Sequence, residues 1–442
     1  MKRTRTTVLV AVLSACLFAT LTYCAALVHS RNLAKKQRAV AITQVQQSAA
    51  RVDLLFQELA IAKTAQRSAD RSKQALNKAQ QQLVEAKSAM RNAQLQAKAA
   101  RAEQESLRQQ LNDLREQQAT LLKSLPFQYL TPEDVSIDVR SETRSKSIGD
   151  LKHLRQELTR RILGSDVPDP TKMPTAIVPA PFDRYRGVVD AKTLVIVSSG
   201  LTFRPLFLDA RGDSGCLILY HQGHGGHHSV GRHTIQFFID QGCDVVAFSM
   251  PLLGDNEPLS DGSTSHNELL KRDPSLTAFV EQVIVAINSA HRANSYEYTA
   301  MVGISGGGWT TTVAAAIDPR ITHSFSVAGS YPMHLRRNWA RDMGDDEQTH
   351  PDLVGLASYF DLYLLSALEE GRTATLIYNR HDPCCFAGVK QYSFKAQLLA
   401  MASDMGIGGL DMLDDISTQE HTISPWALSE MSRRLPRRVL AN

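Results

Sequence analysis

The feature that most constrains this chain is the absence of glycine and proline from its amino-terminal part. In a chain of 442 residues, the first proline is Pro126 and the first glycine is Gly149. Ala, Gln, Lys, Arg, Glu and Leu dominate residues 33–125, which is the composition of a long helix. We therefore expect a helical amino-terminal part, with a globular domain beginning only beyond residue 126.

The helical segment 33–125 also carries a heptad pattern. With Leu55 in the first a position and Glu58 in the first d position, seventeen of the 21 core positions up to Leu125 are apolar. An unbroken register over this length predicts one coiled-coil helix of at least about 105 Å. We expect it to self-associate into a homo-oligomer. A single solvated helix and a scaffolding role for the rod are alternatives.

An uncharged, apolar run of 23 residues extends from Thr6 to Val28. At about 1.5 Å per residue, such a helix spans the hydrocarbon core of a membrane. Residues 1–30 are therefore expected to form a single-pass anchor in the cytoplasmic membrane, with the rest of the chain on the periplasmic or extracellular side. Lipidation at Cys16 and cleavage after a signal peptide near Cys24 are alternatives.

Composition limits the class of partner. The net charge of +4 arises from 49 basic and 45 acidic residues, and no basic stretch is interleaved with aromatic residues, so nucleic acid is not expected as a partner. The six cysteines do not form a disulfide framework. Cys216 and Cys243 are expected as small buried core residues. The adjacent Cys384 and Cys385 are expected as free thiols, with a bridge between them as the alternative.

Two segments of different character follow the predicted rod. Residues 126–184 are polar and contain prolines, with one amphipathic stretch at Ile148–Leu163, and are interpreted as a connector. Residues 185–442 are numerous enough for one large domain. Their short β-branched runs, separated by helix-length segments, predict a mostly parallel sheet with helices on both faces. The predicted strands are Thr193–Ser198, Cys216–Tyr220, Asp244–Phe248, Tyr298–Val302, Ser324–Ala328 and Ala374–Tyr378.

One of these strands runs directly into a candidate nucleophile. The sequence Gly303-Ile-Ser305-Gly306-Gly307 follows an apolar strand and precedes an Ala-rich helical segment. This G-x-S-x-G context is typical of a nucleophile elbow, where a sharp turn presents the serine at the start of a helix. The backbone amide of Gly306 is then placed to stabilise an oxyanion.

A glycine- and histidine-rich loop follows the strand that ends near His221. Its sequence, His221-Gln-Gly-His-Gly-Gly, predicts an oxyanion loop in which the amide of either Gln222 or Gly223 supplies the second donor. His221 and His224 are also candidates for substrate binding. The loop histidines raise a metal-site alternative, but no carboxylate at a matching spacing accompanies them, so no metal is expected.

Acid and base candidates follow the elbow in the order that the motif requires. Asp382 comes just after a predicted strand, and His421 lies 39 residues later in a polar loop. In this prediction the imidazole accepts the serine proton and the carboxylate orients the imidazole. Alternative bases are His381 and His323. Alternative acids are Asp404, Asp414 and Asp415.

In motif order, elbow and late histidine, residues 185–442 resemble the α/β-hydrolase superfamily, particularly serine esterases of the acetyl-xylan-esterase or dienelactone-hydrolase kind. The resemblance implies an eight-stranded sheet, an acyl-enzyme intermediate and no cofactor. Gln222 departs from the glycine common at that place in the oxyanion loop, and the rod lies outside the resemblance. The segment at about 333–370 is expected to form a cap over the substrate, with Trp309 and Trp339 as further substrate-binding candidates.

The expected function is that of a membrane-anchored serine esterase that removes an acyl group from a carbohydrate or another envelope-associated molecule. A serine peptidase of the prolyl-oligopeptidase kind would use the same triad, although no propeller-like repeat precedes the domain. A non-catalytic scaffold that carries a hydrolase-like domain on a coiled coil is the third possibility.

Overall fold

A computed structural model describes most of the chain. The described residues are 40, 42–59, 69–124, 130, 132–210, 215–271, 276–336 and 344–436. They fall into two compact units, Met1–Ser124 and Leu125–Asn442. Among the described residues, no helix combines the length and the apolar character needed to cross a membrane. The predicted anchor at residues 6–28 lies outside the described residues, as do Cys16 and Cys24.

The first unit contains two helices, α1 (residues 42–59) and α2 (Ala69–Ser124). In α2, three predicted d positions seven residues apart are buried: Ala86, Ala93 and Ala100. In α1, Leu55 is 2% exposed. The ammonium group of Lys87 lies 5.4 Å from the ring centroid of Phe56, so the two helices are in contact.

This contact corrects the prediction of one continuous rod. Within a single straight helix, Phe56 and Lys87 would be about 45 Å apart along the axis. The two helices therefore lie side by side, and α1 covers part of the heptad stripe of α2. The register of α1 also differs from the prediction, since Val52 and Leu59 are partly buried while Glu58, the predicted d residue, is exposed. Where the side chains of α2 are described, residues 76–78 and 80–110, burial follows the predicted stripe, whereas self-association stays a prediction.

The second unit is built around a large mixed sheet. The described strands are β1 (Ala176–Pro179), β2 (Val188–Ser198), β3 (Leu201–Phe203), β4 (Leu206–Ala210), β5 (Cys216–His221), β6 (Asp244–Phe248), β7 (Tyr298–Ile304), β8 (His323–Val327), β9 (Thr373–Asn379) and β10 (Leu410–Asp415). Their order is β1-β2-β4-β6-β5-β7-β8-β9-β10, and β3 pairs with β2. The six strands from β6 to β10 in this order are parallel, and β1, β2 and β4 form an antiparallel edge. All six predicted strands coincide with observed strands to within a few residues.

The sheet has two strands more than the eight that the resemblance implies. Without the exposed strand β1 and the three-residue β3, eight strands remain. A mixed sheet of this size with helices on both sides is compatible with an α/β-hydrolase fold.

Helices cover both faces of the sheet. They are α3 (Pro132–Val135), α4 (Val139–Glu142), α5 (Ile148–Leu163), α6 (Arg232–Ile239), α7 (His266–Leu270), α8 (Thr277–Ala293), α9 (Gly306–Ile317), α10 (Pro351–Val354), α11 (Tyr359–Ser366), α12 (Lys395–Asp404) and α13 (Pro425–Arg434). Side chains of β5 alternate between the two hydrophobic clusters: Leu217 and Leu219 belong to one, and Ile218 and Tyr220 to the other. This two-residue period is that of a strand buried on both faces.

The predicted connector, 126–184, belongs to the globular unit. Helix α5 buries Leu151, Leu154, Leu158 and Ile162 in the larger hydrophobic cluster. Its start is fixed by a capping box between Ser147 and Asp150. β1 adds an antiparallel strand to β2. The boundary predicted at residue 185 is therefore wrong, and the folded unit begins before α5.

The second half of the segment 333–370 does not form the predicted cap. Helix α11 is buried along its whole length, with Tyr363 and Leu364 fully covered in the hydrophobic core. It packs against α9 and α5 rather than over a cleft. In the described part of this segment, Glu347 contacts His224 in the loop after β5, and Arg336 lies over the ring of Phe386 in the loop after β9.

All four described cysteines are bonded in pairs, Cys216 with Cys243 and Cys384 with Cys385. The first bond joins the start of β5 to the residue that precedes β6. Cys216 and Cys243 are buried as expected but are bonded to each other, and the expectation of free thiols at Cys384 and Cys385 is wrong, since the alternative bridge is found. The apolar sequences around Cys216 and Cys243 do not show that the two residues come close together at the starts of neighbouring strands.

The burial of α5 predicts that the connector stabilises the globular unit. Replacing Leu158, which is fully buried, by Ala leaves a cavity and should lower the free energy of unfolding by about 2–5 kcal/mol. Lys152→Ala on the exposed face of the same helix should change it by less than about 0.5 kcal/mol. Urea unfolding followed by tryptophan fluorescence measures both. Equal stability of the two variants would show that α5 is not part of the cooperative unit.

Candidate active site

The candidate nucleophile lies in a strained turn between β7 and α9. Ser305 has φ 58° and ψ −126°, a conformation that costs about 1–3 kcal/mol for a non-glycine residue. Its backbone is held on both sides, since its N–H donates to the carbonyl of Val327 at 2.9 Å and its own carbonyl accepts from the N–H of Trp309 at 3.0 Å. The surroundings therefore impose this conformation, which is typical of a nucleophile elbow.

The glycines around Ser305 are required by close backbone contacts. A Cβ atom on Gly303 would lie 2.1 Å from the carbonyl oxygen of Gly307, and one on Gly307 would lie 2.1 Å from the carbonyl oxygen of His221. Real Cβ contacts do not reach such distances. The end of β5 and the elbow after β7 therefore approach each other more closely than any side chain would permit.

The loop after β5 contacts the elbow through Gly223. A Cβ atom on Gly223 would lie 2.7 Å from the Cβ of Ser305 and 3.2 Å from the amide nitrogen of Gly306. The amide of Gln222 donates to the carbonyl of Phe248 at 3.0 Å, and its side-chain oxygen accepts from Tyr220. Gln222 is thus engaged in the core. Of the two predicted loop donors, Gly223 lies beside the nucleophile.

The candidate acid and base are in direct contact. Nδ1 of His421 lies 2.7 Å from Oδ2 of Asp382, and the carboxylate is fully buried. The other oxygen, Oδ1, accepts hydrogen bonds from the amides of Cys384 at 2.7 Å and Cys385 at 3.2 Å. The side chain of His421 is 26% exposed, so its free face is accessible. Such a pair holds the imidazole in one orientation with Nδ1 protonated.

Backbone contacts fix the loop that carries His421. The side-chain amide of Asn379 donates to the carbonyl of Thr422 at 2.8 Å, and Nε2 of His233 lies 2.8 Å from the carbonyl of Ile423. Asn379 ends β9, so the same strand that leads to Asp382 also positions the loop of its partner.

Topology puts the three candidates at one edge of the sheet. Ser305 follows β7, Asp382 follows β9 and His421 follows β10, and these strands run parallel with β8 between β7 and β9. Carboxyl ends of parallel strands meet at one edge, where active sites of open α/β sheets lie. The structure thus joins Asp382 to His421 and sets Ser305 at the same edge.

The alternative acids and bases have other surroundings. His323 begins β8, at the opposite edge, and burial lowers its pKa to about 4. Asp414 pairs with Arg380 and Tyr392, and Asp415 accepts from Ser417 and Ser424. Asp404 pairs with Arg140 at the surface.

Two predicted substrate-binding residues belong to the core. His221 is fully buried with its ring stacked on Phe248, and burial lowers its pKa to about 4. Trp309 is also fully buried and packs edge to face against Phe279. Both predictions are therefore wrong, because these side chains are covered by the core and present no accessible surface to a substrate. Trp339 lies outside the described residues.

His224 is the predicted binding residue that borders the nucleophile. A Cβ atom on Gly306 would lie 2.5 Å from Cε1 of His224. Three residues that the sequence analysis did not select surround this ring: His266, Asp345 and Glu347. Their segments are distant in the chain and carry no recognisable motif, so only the folded structure brings them together.

These neighbours control the charge of His224. Burial alone would lower the pKa of His224, but the carboxylates of Glu347 and Asp345 raise it above its ordinary value. Burial alone would raise the pKa of Glu347, but His224 and His266 lower it to about 2. The group therefore favours a positive charge between the histidines and an ionised carboxylate.

Comparison with solved structures finds esterases and peptidases of low similarity. Methylesterase BT1017 is 14% identical with a TM-score of 0.48, and the match covers 64% of this chain and 63% of that protein, less than two thirds of its length. Acetyl xylan esterase 1 from Thermoanaerobacterium sp. JW/SL YS485 is 14% identical with a TM-score of 0.44, covering 67% of this chain and 98% of that one. Pyrococcus horikoshii acylaminoacyl peptidase is 15% identical with a TM-score of 0.40, covering 56% and 40%.

No family model and no curated protein matches the sequence. The likeness to the solved structures concerns the arrangement of the backbone and does not extend to substrates or activities.

Because the two loops approach each other so closely, a methyl group at position 307 of the elbow should strongly destabilise the fold. Gly307→Ala places a Cβ against the carbonyl of His221 and should lower the free energy of unfolding by at least about 1–3 kcal/mol. Gly408→Ala is the matched control, because its Cβ would meet no atom within 4 Å. Urea unfolding of both variants checks this. A Gly307→Ala variant as stable as Gly408→Ala would mean that the loop and the elbow are farther apart.

Proposed function

We propose that this chain is a serine hydrolase of the α/β-hydrolase type, with Ser305 as nucleophile, His421 as general base and Asp382 as the residue that orients the base. The observation that carries the proposal is the buried Asp382–His421 pair at the edge of the sheet where Ser305 occupies a strained elbow. Strain at a serine and a hydrogen-bonded acid–imidazole pair are together the elements of nucleophilic catalysis.

The residues act in sequence on an acyl substrate. Nε2 of His421 accepts the hydroxyl proton as Oγ of Ser305 bonds to the acyl carbon, which gives a tetrahedral oxyanion. Collapse of this intermediate breaks the bond to the leaving group, which takes the proton from Nε2. Water then attacks the acyl-enzyme, gives a proton to His421 and releases the acid, and Ser305 recovers its proton. Asp382 stays ionised and stabilises the imidazolium in both steps.

The amides of Gly223 and Gly306 are assigned as the two hydrogen-bond donors to the oxyanion. Both lie next to Ser305, and Gly306 begins α9, where the first amides of a helix have no intrahelical acceptor. The engagement of the Gln222 amide by Phe248 supports Gly223 as the second donor.

An ester is the favoured substrate class, in the form of an acyl group on a carbohydrate or another envelope-associated molecule. Two observations support a location outside the cytoplasm. The apolar run at residues 6–28 fits a single-pass membrane anchor, and both described disulfides are typical of an oxidising compartment. The heptad stripe of α2 supports homo-oligomerisation as a further part of the proposal.

Covalent labelling tests the nucleophile. The purified chain should react with a fluorophosphonate probe and hydrolyse p-nitrophenyl acetate, and Ser305→Ala should abolish both, because no other residue in the mechanism supplies the attacking oxygen. Ser432→Ala on α13 is the matched control and should react as the unchanged chain does. Hydrolysis of an aminoacyl amide but not of esters would indicate a peptidase. Absence of both labelling and turnover would favour a non-catalytic scaffold.

Loss of the orienting carboxylate should lower turnover while the fold persists. Asp382→Asn replaces an acceptor of the Nδ1 proton by an amide that can donate to Nδ1, so kcat/KM should fall by roughly 10²–10⁴-fold. Asp414→Asn removes a carboxylate from the neighbouring strand that binds Arg380 instead, and activity should stay near that of the unchanged chain. Ester hydrolysis measures both. Equal activities would remove Asp382 from the mechanism.

A further inference from the structure

Three side chains from separate segments converge beside the nucleophile. Nε2 of His224 lies 3.0 Å from Nδ1 of His266 and 3.1 Å from Oε1 of Glu347, and Nδ1 of His266 lies 3.5 Å from Oε2 of Glu347. The side chain of Glu347 is completely buried, and that of His266 is 9% exposed. The potential ligand atoms of all three lie within 4.8 Å of one another.

These separations are those of ligands around one small metal ion. For bonds of about 2.0–2.1 Å in a tetrahedral site, neighbouring ligand atoms are about 3.3–3.4 Å apart. The observed distances, 3.0 Å between the two nitrogens and 3.1 and 3.5 Å from them to Oε1 and Oε2 of Glu347 respectively, bracket this value. Two imidazoles and one carboxylate are also a ligand set that binds Zn²⁺ with its fourth position open.

Polar partners on the outer side of each ring direct a lone pair inward. Nε2 of His266 lies 2.9 Å from the carbonyl of Pro251, which can only accept, so in the neutral ring Nδ1 carries the lone pair that faces Glu347. Nδ1 of His224 lies 3.0 Å from Oδ2 of Asp345, an electrostatic contact without hydrogen-bond geometry that favours the proton on Nδ1 and the lone pair on Nε2. Carbonyl and carboxylate partners of this kind orient histidine ligands in metal sites.

The buried carboxylate supplies an independent argument. Both oxygens of Glu347 face imidazole nitrogens, at 3.1 and 3.5 Å, in contacts that are poorly aligned for hydrogen bonds. A buried, ionised carboxylate needs a cation against it, and a metal ion supplies that charge when both imidazoles are neutral. An ion held by one oxygen of Glu347 and by the two inward nitrogen atoms would neutralise the carboxylate and engage both lone pairs at once.

Other candidate clusters are weaker. In the group His227, His228 and Asp255, the carboxylate is exposed and already pairs with His227 at 2.8 Å. The group Cys384, Cys385 and His421 has both sulfurs in a disulfide and its imidazole bound to Asp382.

We propose that His224, His266 and Glu347 bind one divalent transition-metal ion of the Zn²⁺ class, with Asp345 and the carbonyl of Pro251 orienting the two imidazoles. The cluster borders a cavity of about 500 Å³ that is also lined by Thr264 and Asn267. The fourth coordination position opens toward this cavity and takes an oxygen ligand, either water or a hydroxyl or carboxylate of a bound molecule. The ion would lie next to Gly306, at one residue from the candidate nucleophile.

Metal binding is tested with the full chain, freed of metal by a chelator and titrated with Zn²⁺ by calorimetry. One equivalent should bind, and Glu347→Gln and His266→Ala should each weaken binding by at least about 100-fold, because each removes one of three ligands. Asp255→Asn, in the neighbouring histidine cluster, is the matched control and should bind as the unchanged chain does. Mg²⁺ should not compete, since it prefers sets of oxygen ligands.

A second measurement guards against misfolded variants. Zn²⁺ should raise the melting temperature of the unchanged chain and of Asp255→Asn but not that of Glu347→Gln, which keeps the volume of the side chain. Equal Zn²⁺ affinities of the unchanged chain and Glu347→Gln, or loss of binding in Asp255→Asn alone, would overturn the proposal. Ser305→Ala should still bind Zn²⁺, so this test is independent of the proposed hydrolase activity.

Discussion

The backbone contact between the end of β5 and the turn after β7 is the constraint on which the site depends. The carbonyl of His221 occupies space that a side chain at position 307 would need, and Gly223 lies against Ser305. This approach is possible because β5 and β7 are parallel neighbours, so both loops leave the sheet at the same edge. It brings the amides of Gly223 and Gly306 together and carries His224 over the first residue of α9. One packing contact therefore fixes the turn that carries Ser305, the two amides proposed as oxyanion donors and the position of His224.

The part of the fold that could be predicted is the part that depends on local apolar runs. Strands such as β6, which is fully buried, can be recognised in the sequence by a short run of apolar residues that includes β-branched ones. The exposed edge strand β1 and the strand β10, in which acidic residues interrupt the apolar ones, lack that signal. The heptad stripe of α2 was predictable from its period, but the period does not say whether the partner of the stripe is another chain or α1.

In the site, as in the fold, residues that belong to a local motif could be predicted, and residues placed by tertiary contacts could not. Ser305, Asp382 and His421 follow strands in the order that the elbow motif specifies, so their placement could be argued from sequence. The burial of His221 and Trp309 could not, because it depends on which face of the β5 and α9 backbone turns to the core. His266 and Glu347 have no motif at all, and they meet His224 only through the packing of three separate segments. Sequence spacing misses ligand sets of this kind, since it compares only nearby residues.

Glu347 is a buried charge, and replacement of a buried ion pair by apolar groups of similar volume is often neutral or stabilising. Its histidine neighbours outweigh the cost of burial, since they lower the pKa of Glu347 to about 2. Departures from the rules of stability are expected where function requires them. The position of Glu347, one imidazole away from the residue that follows Ser305, fits such a requirement. The edge of the sheet that carries Ser305 thus also carries an acid–imidazole pair suited to moving protons and a carboxylate–imidazole group suited to holding a cation.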